Sequence, residues 1–159
     1  MTGETTNGPT SGAFANGVHR FPVRVYFEDT DLSGVVYHAN YLRFMERARS
    51  DMLRVAGIDQ RGFWDAGEGA YAVTDLHIRY VRPARLDDVL HVESRVKSIG
   101  AASCKIAQVI VRSGELVTDA LVTAALVGRD GRPKRQPPEW RRVFEDLAVK
   151  AGNGEPDGN

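Results

Sequence analysis

Residues 29–41 read DTDLSGVVYHANY, a run that sets two carboxylates, an imidazole, an amide and a glycine between an extended stretch and a helix. Upstream, Val23, Val25 and Phe27 alternate with Arg24 and Tyr26, the period of a half-buried strand. Downstream, from Asn40 to Ala56, the residues Tyr41, Met45, Ala48, Met52 and Val55 recur at spacings of four and three, supported by Phe44 and Leu53. That period predicts a long amphipathic helix with a wide buried face. Asn40 suits its N-cap and Gly57 the position just past its C-terminus. The polar run therefore occupies a strand-to-helix loop between rigid elements, where catalytic groups often sit. It also has a plain reading, with Asp29 and Asp31 solvated in a turn and Asn40 acting only as a cap.

Four extended segments follow, over about Ala70 to Tyr80, Val89 to Val96, Cys104 to Val111 and Leu116 to Val127. Ser113-Gly114 reads as a hairpin turn between the last two. An antiparallel meander with one apolar face needs a cover, and the long helix supplies it, so the fold class is α+β. A second helix follows Pro138, with Trp140, Val143, Phe144 and Leu147 as its buried stripe. Residues 1–18 and 149–159 are poor in large apolar groups and are expected to be disordered tails around one domain, residues 19–148.

Twenty-one basic and twenty-one acidic side chains cancel, so no global field points to nucleic acid or an anionic membrane. No apolar run approaches the length of a membrane span, and MTGETTNGPTSG lacks the basic start and apolar core of a secretory leader, so a cytoplasmic protein is expected. Cys104 is the single cysteine and permits no internal disulfide. The chain has neither a G-x-x-x-x-G-K-[ST] phosphate loop nor a G-x-S-x-G nucleophile elbow.

The string EDTDLSGVVYHANYLRFMERARSDMLR, residues 28–54, resembles the small acyl-CoA thioesterases associated with the Tol-Pal system, relatives of 4-hydroxybenzoyl-CoA thioesterase. YVRPARLDDVL, residues 80–90, continues the match, which extends from about Phe21 to Leu147. The resemblance implies a hotdog fold, an antiparallel sheet wrapped around a long central helix. It also implies that the second Asp of D-x-D, here Asp31, is the catalytic carboxylate and that His38, within Y-H-A-[NS]-Y, lies beside the thioester. Backbone N–H groups around His38 are then the oxyanion donors. The family pairs subunits into a continuous sheet, so a homodimer or homotetramer is implied. Two alternatives accompany this reading: a thioesterase acting on acyl carrier protein, and a non-catalytic acyl-CoA-binding or scaffold protein of the Tol-Pal complex.

The residue types suit the chemistry. Thioester hydrolysis needs a base or nucleophile at the carbonyl carbon and donors for the developing oxyanion. Asp31 can either take a proton from water or attack directly to form a mixed anhydride. Gly34 lets the loop turn sharply, and the helix start near Asn40 directs partial positive charge at the carbonyl. A thiol leaves readily as its anion, so a strong general acid is dispensable. Asp29 is expected to support the loop, Tyr37 and Tyr41 to be wall and core residues, and Glu46 to form a salt bridge with Arg43, Arg49 or a nearby strand. His77 and His91 should face outward, and Cys104 should be inert. Two Asp and one His lack the ligand spacing of zinc or calcium sites, so neither metal nor cofactor is expected. Among cations for the phosphates of CoA, the Lys97–Ser103 turn and Lys105 are preferred over Arg129, Arg132, Lys134 and Arg135, which also read as a solvated basic turn.

Overall fold

The computed structural model describes residues 8–152. Strands β1 (Ala13–Ala15) and β2 (Val18–Arg24) lead through a 3-10 turn at Phe27–Asp29 into α1 (His38–Val55) and the short α2 (Gln60–Asp65). Then come β3 (Ala70–Tyr80), β4 (Val89–Ile99), β5 (Ser103–Arg112), β6 (Glu115–Val127) and α3 (Pro138–Lys150). The strands form one antiparallel sheet in the order β1-β2-β4-β5-β6-β3. Ser113 and Gly114 turn the β5–β6 hairpin with φ of 49° and 80°, the left-handed pair that matches strand twist.

Helix α1 lies in the concave face of this sheet. Tyr41, Phe44, Met45 and Ala48 share one buried cluster with Phe21 and Val23 of β2, Leu90 and Val92 of β4, Ile110 of β5 and Val122 of β6. The helix ends as the sequence predicts. Gly57 takes φ 88°, its N–H reaches Arg54 O at 3.0 Å, and Ile58 N reaches Leu53 O at 2.9 Å. This is a Schellman closure, and Ile58 and Leu53 supply its apolar contact. The beginning differs from expectation. The N-cap is Tyr37 rather than Asn40, and Asn40 sits inside the first turn with its side-chain amide donated to Asp29 Oδ1 at 2.9 Å. Phe27 also departs from the predicted strand: the Asp29 carboxylate accepts from Tyr26 N at 2.8 Å, folds the chain into the 3-10 turn and leaves Phe27 81% exposed.

Edge strand β3 carries a register shift between Val73 and Asp75. The extra residue reverses the alternation, so Tyr71 and Val73 before it and Leu76, Ile78 and Tyr80 after it pair with Leu126, Ala124, Val122, Ala120 and Thr118, all buried residues of β6. All five thus face the concave side. α2, which the sequence reading did not anticipate, is capped by Asp59, whose Oδ1 accepts from Gly62 N at 2.9 Å.

The N-terminal boundary is earlier than expected. Residues 11–18, expected within a disordered tail, contain β1 and a buried anchor. Asp51 of α1 accepts hydrogen bonds from Ser11 Oγ and Gly12 N, each at 2.8 Å, and from His19 Nε2 at 2.7 Å. His19 is fully buried between Phe14 and Phe21 with its Nδ1 unpartnered, so the neutral Nε2–H tautomer fits this network. At the other end α3 continues to Lys150, two residues into the expected tail. Residues 1–7 and 153–159 lie outside the described region.

Burial lowers the His19 pKa despite the neighbouring Asp51. Burial raises that of Asp51, but the Gly12, Ser11 and His19 hydrogen bonds outweigh it and the net direction is down. Both folded values lie below the unfolded ones, so the unfolded chain binds more protons. Stability complete at neutral pH should decline as pH falls through the histidine and then the carboxylate range. Urea unfolding between about pH 7 and about pH 5 should show a falling midpoint, with a flatter profile in His19→Gln. Equal pH dependence in both proteins would remove His19 from this role.

Candidate active site

Residues 30–36 form a tight loop at the start of α1. Isolated bridges join Thr30 to Val36 and Val35 to Arg85. Gly34 N donates to Asp31 O at 3.0 Å, Asp31 N donates to Val35 O at 3.0 Å, and Gly34 adopts φ 81°. A side chain there would be strained, although the space beside Gly34 is open.

The two aspartates have separate environments. Asp29 is buried, its carboxylate holds Tyr26 N and Asn40 Nδ2, and its carbonyl accepts Tyr37 N at 2.9 Å. It fastens the loop to the helix, the supporting role the sequence suggested. Asp31 is exposed, and its Oδ1 accepts from both the hydroxyl and the backbone N–H of Ser33. The Ser33 hydroxyl first and its N–H second hold the Asp31 carboxyl below the usual carboxylate range, and nearby His38 adds to the effect. Asp31 is therefore ionised at neutral pH and open to solvent. Ser33 was missed in the sequence, although D-x-S is a common side-chain-capped turn.

His38 opens α1, with its ring 4.5 Å from Tyr37 and 6.2 Å from Tyr80 between centroids. Tyr80 donates its hydroxyl to His38 O at 2.9 Å. Tyr41 is buried and its hydroxyl oxygen accepts from Ala84 N at 3.0 Å. Burial raises the pKa of both Tyr41 and Tyr80, so neither phenol is poised to ionise near neutrality. Among the described residues, the N–H groups of His38 and Ala39 have no hydrogen-bond partner, whereas Val36, Tyr37 and Asn40 donate to Ala84, Asp29 and Tyr37 carbonyls. Two open donors at a helix N-terminus can receive a negatively charged oxygen.

Hollows flank these groups. One of about 300 Å³ runs along Val36, His38, Tyr41 and Tyr80. A shallow one of about 670 Å³ lies over Asp31, Gly34 and the apolar side chains of Phe27, Leu32 and Leu86. Leu32 is as exposed as in an extended peptide, at 109%.

The remaining candidates scatter. Asn40 serves Asp29. Lys97 and Lys105 are exposed, on β4 and β5, and are not brought to Asp31 within one chain. Lys97 lies eight residues along β4 from Val89, next to the Arg85–Asp88 turn, or about 26 Å at ordinary strand rise. Arg129 stacks over Trp64 at 4.3 Å and donates to its carbonyl, while Lys134 pairs with Glu68, so both hold α2 against the β6–α3 connection. The expected Glu46 salt bridge is absent among the described residues, and Glu46 lines a groove beside β3. His77 is exposed and His91 half-buried on the outer face, as predicted. Cys104 is buried, which pushes its thiol up to about 11.

Ser33→Ala removes the first cause of the lowered Asp31 pKa. Carboxyl carbon NMR should then show Asp31 titrating at higher pH, with the fold unchanged because both side chains are exposed. An unmoved titration would mean that Ser33 does not tune this carboxylate.

A profile of the thioesterase-like superfamily matches residues 25–147. An acyl-CoA thioesterase YbgC from Haemophilus influenzae is 40% identical over 128 residues, covering 80% of this chain and 94% of the relative. An acyl-CoA thioester hydrolase YbgC from Escherichia coli O6:H1 is 42% identical over 109 residues, 68% of this chain and 81% of the relative. Among solved structures, a probable thioesterase from Bartonella henselae superposes with TM-score 0.72 at 36% identity, covering 76% of this chain and 99% of that one. The DHNA-CoA thioesterase of Staphylococcus aureus reaches TM-score 0.79 at 22% identity, with 87% and 96% covered, a likeness of fold alone. The α+β hotdog fold is thereby established.

Proposed function

The chain belongs to the thioesterase-like superfamily and is an enzyme of thioester hydrolysis; from that premise we propose that its substrate is an acyl-CoA, cleaved to a free acid and CoA with Asp31 as nucleophile or general base. The observation that carries this reading is an ionised, solvent-reachable carboxylate held by Ser33 beside a helix N-terminus with two open N–H groups. Base and oxyanion donors thus come from adjacent parts of one loop, and the partly buried Asp29–Asn40 bond keeps them in register.

In the general-base route Asp31 takes a proton from water as its oxygen attacks the carbonyl carbon. In the nucleophilic route the carboxylate forms an acyl anhydride with loss of thiolate, and water then cleaves the anhydride. In both, the N–H groups of His38 and Ala39 hold the oxyanion and CoA leaves as thiolate, taking its proton from solvent. The His38 ring, between Tyr37 and Tyr80, forms a wall beside the thioester.

The site is completed by a second copy of the chain in a homodimer or homotetramer. Support comes from the exposed Phe27, Leu32 and Leu86 around Asp31, and from the long unpaired edge of β3. In such an assembly Lys97 or Lys105 of one subunit can meet CoA phosphates bound at the site of another. The location proposed for an enzyme acting on acyl-CoA is cytoplasmic; no helix among the described residues is long and apolar enough to cross a membrane.

Asp31→Asn keeps the turn but removes charge and basicity, so turnover of a good acyl-CoA should fall at least about a hundredfold while the circular dichroism spectrum is unchanged. A folded variant with near wild-type turnover would move the catalytic role away from Asp31. Dilution to folded monomers, followed by light scattering under assay conditions, should abolish hydrolysis; a fully active monomer would refute the shared site.

A further inference from the structure

The concave side of β3 is only half covered. Tyr71, Val73, Leu76, Ile78 and Tyr80 face it, and Val73, Leu76 and Tyr80 remain 50%, 37% and 44% exposed. Across from them α1 presents His38, Leu42, Glu46, Arg49 and Leu53, recurring at four, four, three and four, one flank of the helix. At one end Tyr80 is bonded to His38. In the middle Leu42 and Ile78 pack on the same core. At the other end the two flanks open into a cavity of about 370 Å³ lined by Arg49, Leu53, Tyr71, Val73, Ile106 and Phe144 among others. A largely apolar strip between α1 and β3 therefore runs from the hollow at His38 to the cavity at Arg49, with Leu42 and Ile78 filling its middle and Glu46 the one acidic side chain beside it.

Arg49 is a cation without a carboxylate. One of its N–H groups donates to Gln108 Oε1 at 2.8 Å, and Gln108 is fully buried and fixed by its own donations to Met45 O at 3.0 Å and Ser94 Oγ at 2.9 Å. Burial lowers the pKa of the half-buried Arg49, and Glu46 acts against that through space. No ion pair of Arg49 exists among the described residues, Glu46 included. A guanidinium remains charged even here, so its uncommitted donors favour an incoming anion.

We infer that this strip takes the acyl chain of the substrate and that Arg49 pairs with a carboxylate at its distal end, so the preferred substrates are CoA thioesters of medium- to long-chain dicarboxylic acids. The inference rests on the thioesterase reading above. Arg49 lies eleven residues beyond His38, about 16 Å along the helix. Short acyl groups do not span that distance, and a dicarboxylic chain that stops short meets Glu46 instead and is repelled.

The test compares hydrolysis of the mono-CoA thioester of dodecanedioic acid, dodecanoyl-CoA and butyryl-CoA by wild-type protein, Arg49→Met and Arg49→Lys. The wild type should favour the dicarboxylic substrate over dodecanoyl-CoA by at least about tenfold in kcat/KM. Arg49→Met should lose that preference, its loss on the dicarboxylic thioester exceeding its loss on butyryl-CoA by a similar factor, and Arg49→Lys should keep part of it. Equal wild-type rates on the two long thioesters would overturn the assignment even if Arg49→Met fails to fold. Equal losses on all three substrates would reduce Arg49 to a structural role. If no CoA thioester is hydrolysed, the catalytic reading fails separately, and calorimetric titration with dodecanedioate decides the subsite. Binding to wild type that weakens at least about tenfold in Arg49→Met supports it, and equal or absent binding overturns it.

Discussion

The structure depends on one packing constraint: a single helix fills the concave face of the sheet. Phe44, Met45, Ala48 and Met52 are each 1% exposed or less and meet side chains from nearly every strand. Truncating a residue such as Phe44 at a site like this typically costs about 3–5 kcal/mol, because the surrounding strands cannot collapse into the void. Since α1 cannot rotate or slide without disturbing that face, its first turn is a fixed reference point. The donors of His38 and Ala39, the Asn40 amide and the Asp29 carboxylate inherit their positions from the core.

The D-x-D pair shows how two like residues, two positions apart, are given opposite environments. Asp29 spends its acceptor capacity inside the protein, on Tyr26 N and Asn40 Nδ2. Asp31, two residues on, is bonded only within its own turn and faces solvent. The hydroxyl of Ser33 first and its N–H second outweigh the small cost of desolvation, so the Asp31 pKa moves down. A carboxylate kept ionised is a ready proton acceptor or nucleophile and a poor general acid, which suits a reaction whose leaving thiolate needs no strong acid.

Much of this was legible in the sequence because periodicity and turn chemistry act locally. The helix, the Gly57 closure, the β5–β6 turn and all four later strands follow from spacing and glycine placement, and the hotdog fold that the resemblance in residues 28–54 implies is the fold found. The misreadings share a cause, namely partners far away in sequence. Ser11 and His19 are ordered by Asp51, forty and thirty-two residues away, so a segment whose one large apolar side chain before Val18 is Phe14 still joins the domain. Asn40 looked like a cap because Asn usually caps, but a buried Asp29 claimed its amide. The bulge in β3, which the sequence reading did not anticipate, has its trace in the spacing of residues 71 and 73 and then 76, 78 and 80, a three-residue step inside a two-residue period.

That break has a consequence beyond register. Without it, Tyr71 and Val73 would lie on the opposite face from Leu76, Ile78 and Tyr80, and the apolar strip beside α1 would end halfway along the strand. With it, one edge strand carries both the tyrosine that fixes His38 and the residues that line the Arg49 cavity. The same strand presents an unpaired row of backbone donors and acceptors, which proteins cover by pairing or packing. A second copy pairing there would close the groove from its open side, exclude water from the path to Arg49 and strengthen the charge interaction at its end. Assembly and acyl recognition would then draw on the same eleven residues, so substitutions in β3 would act on both at once.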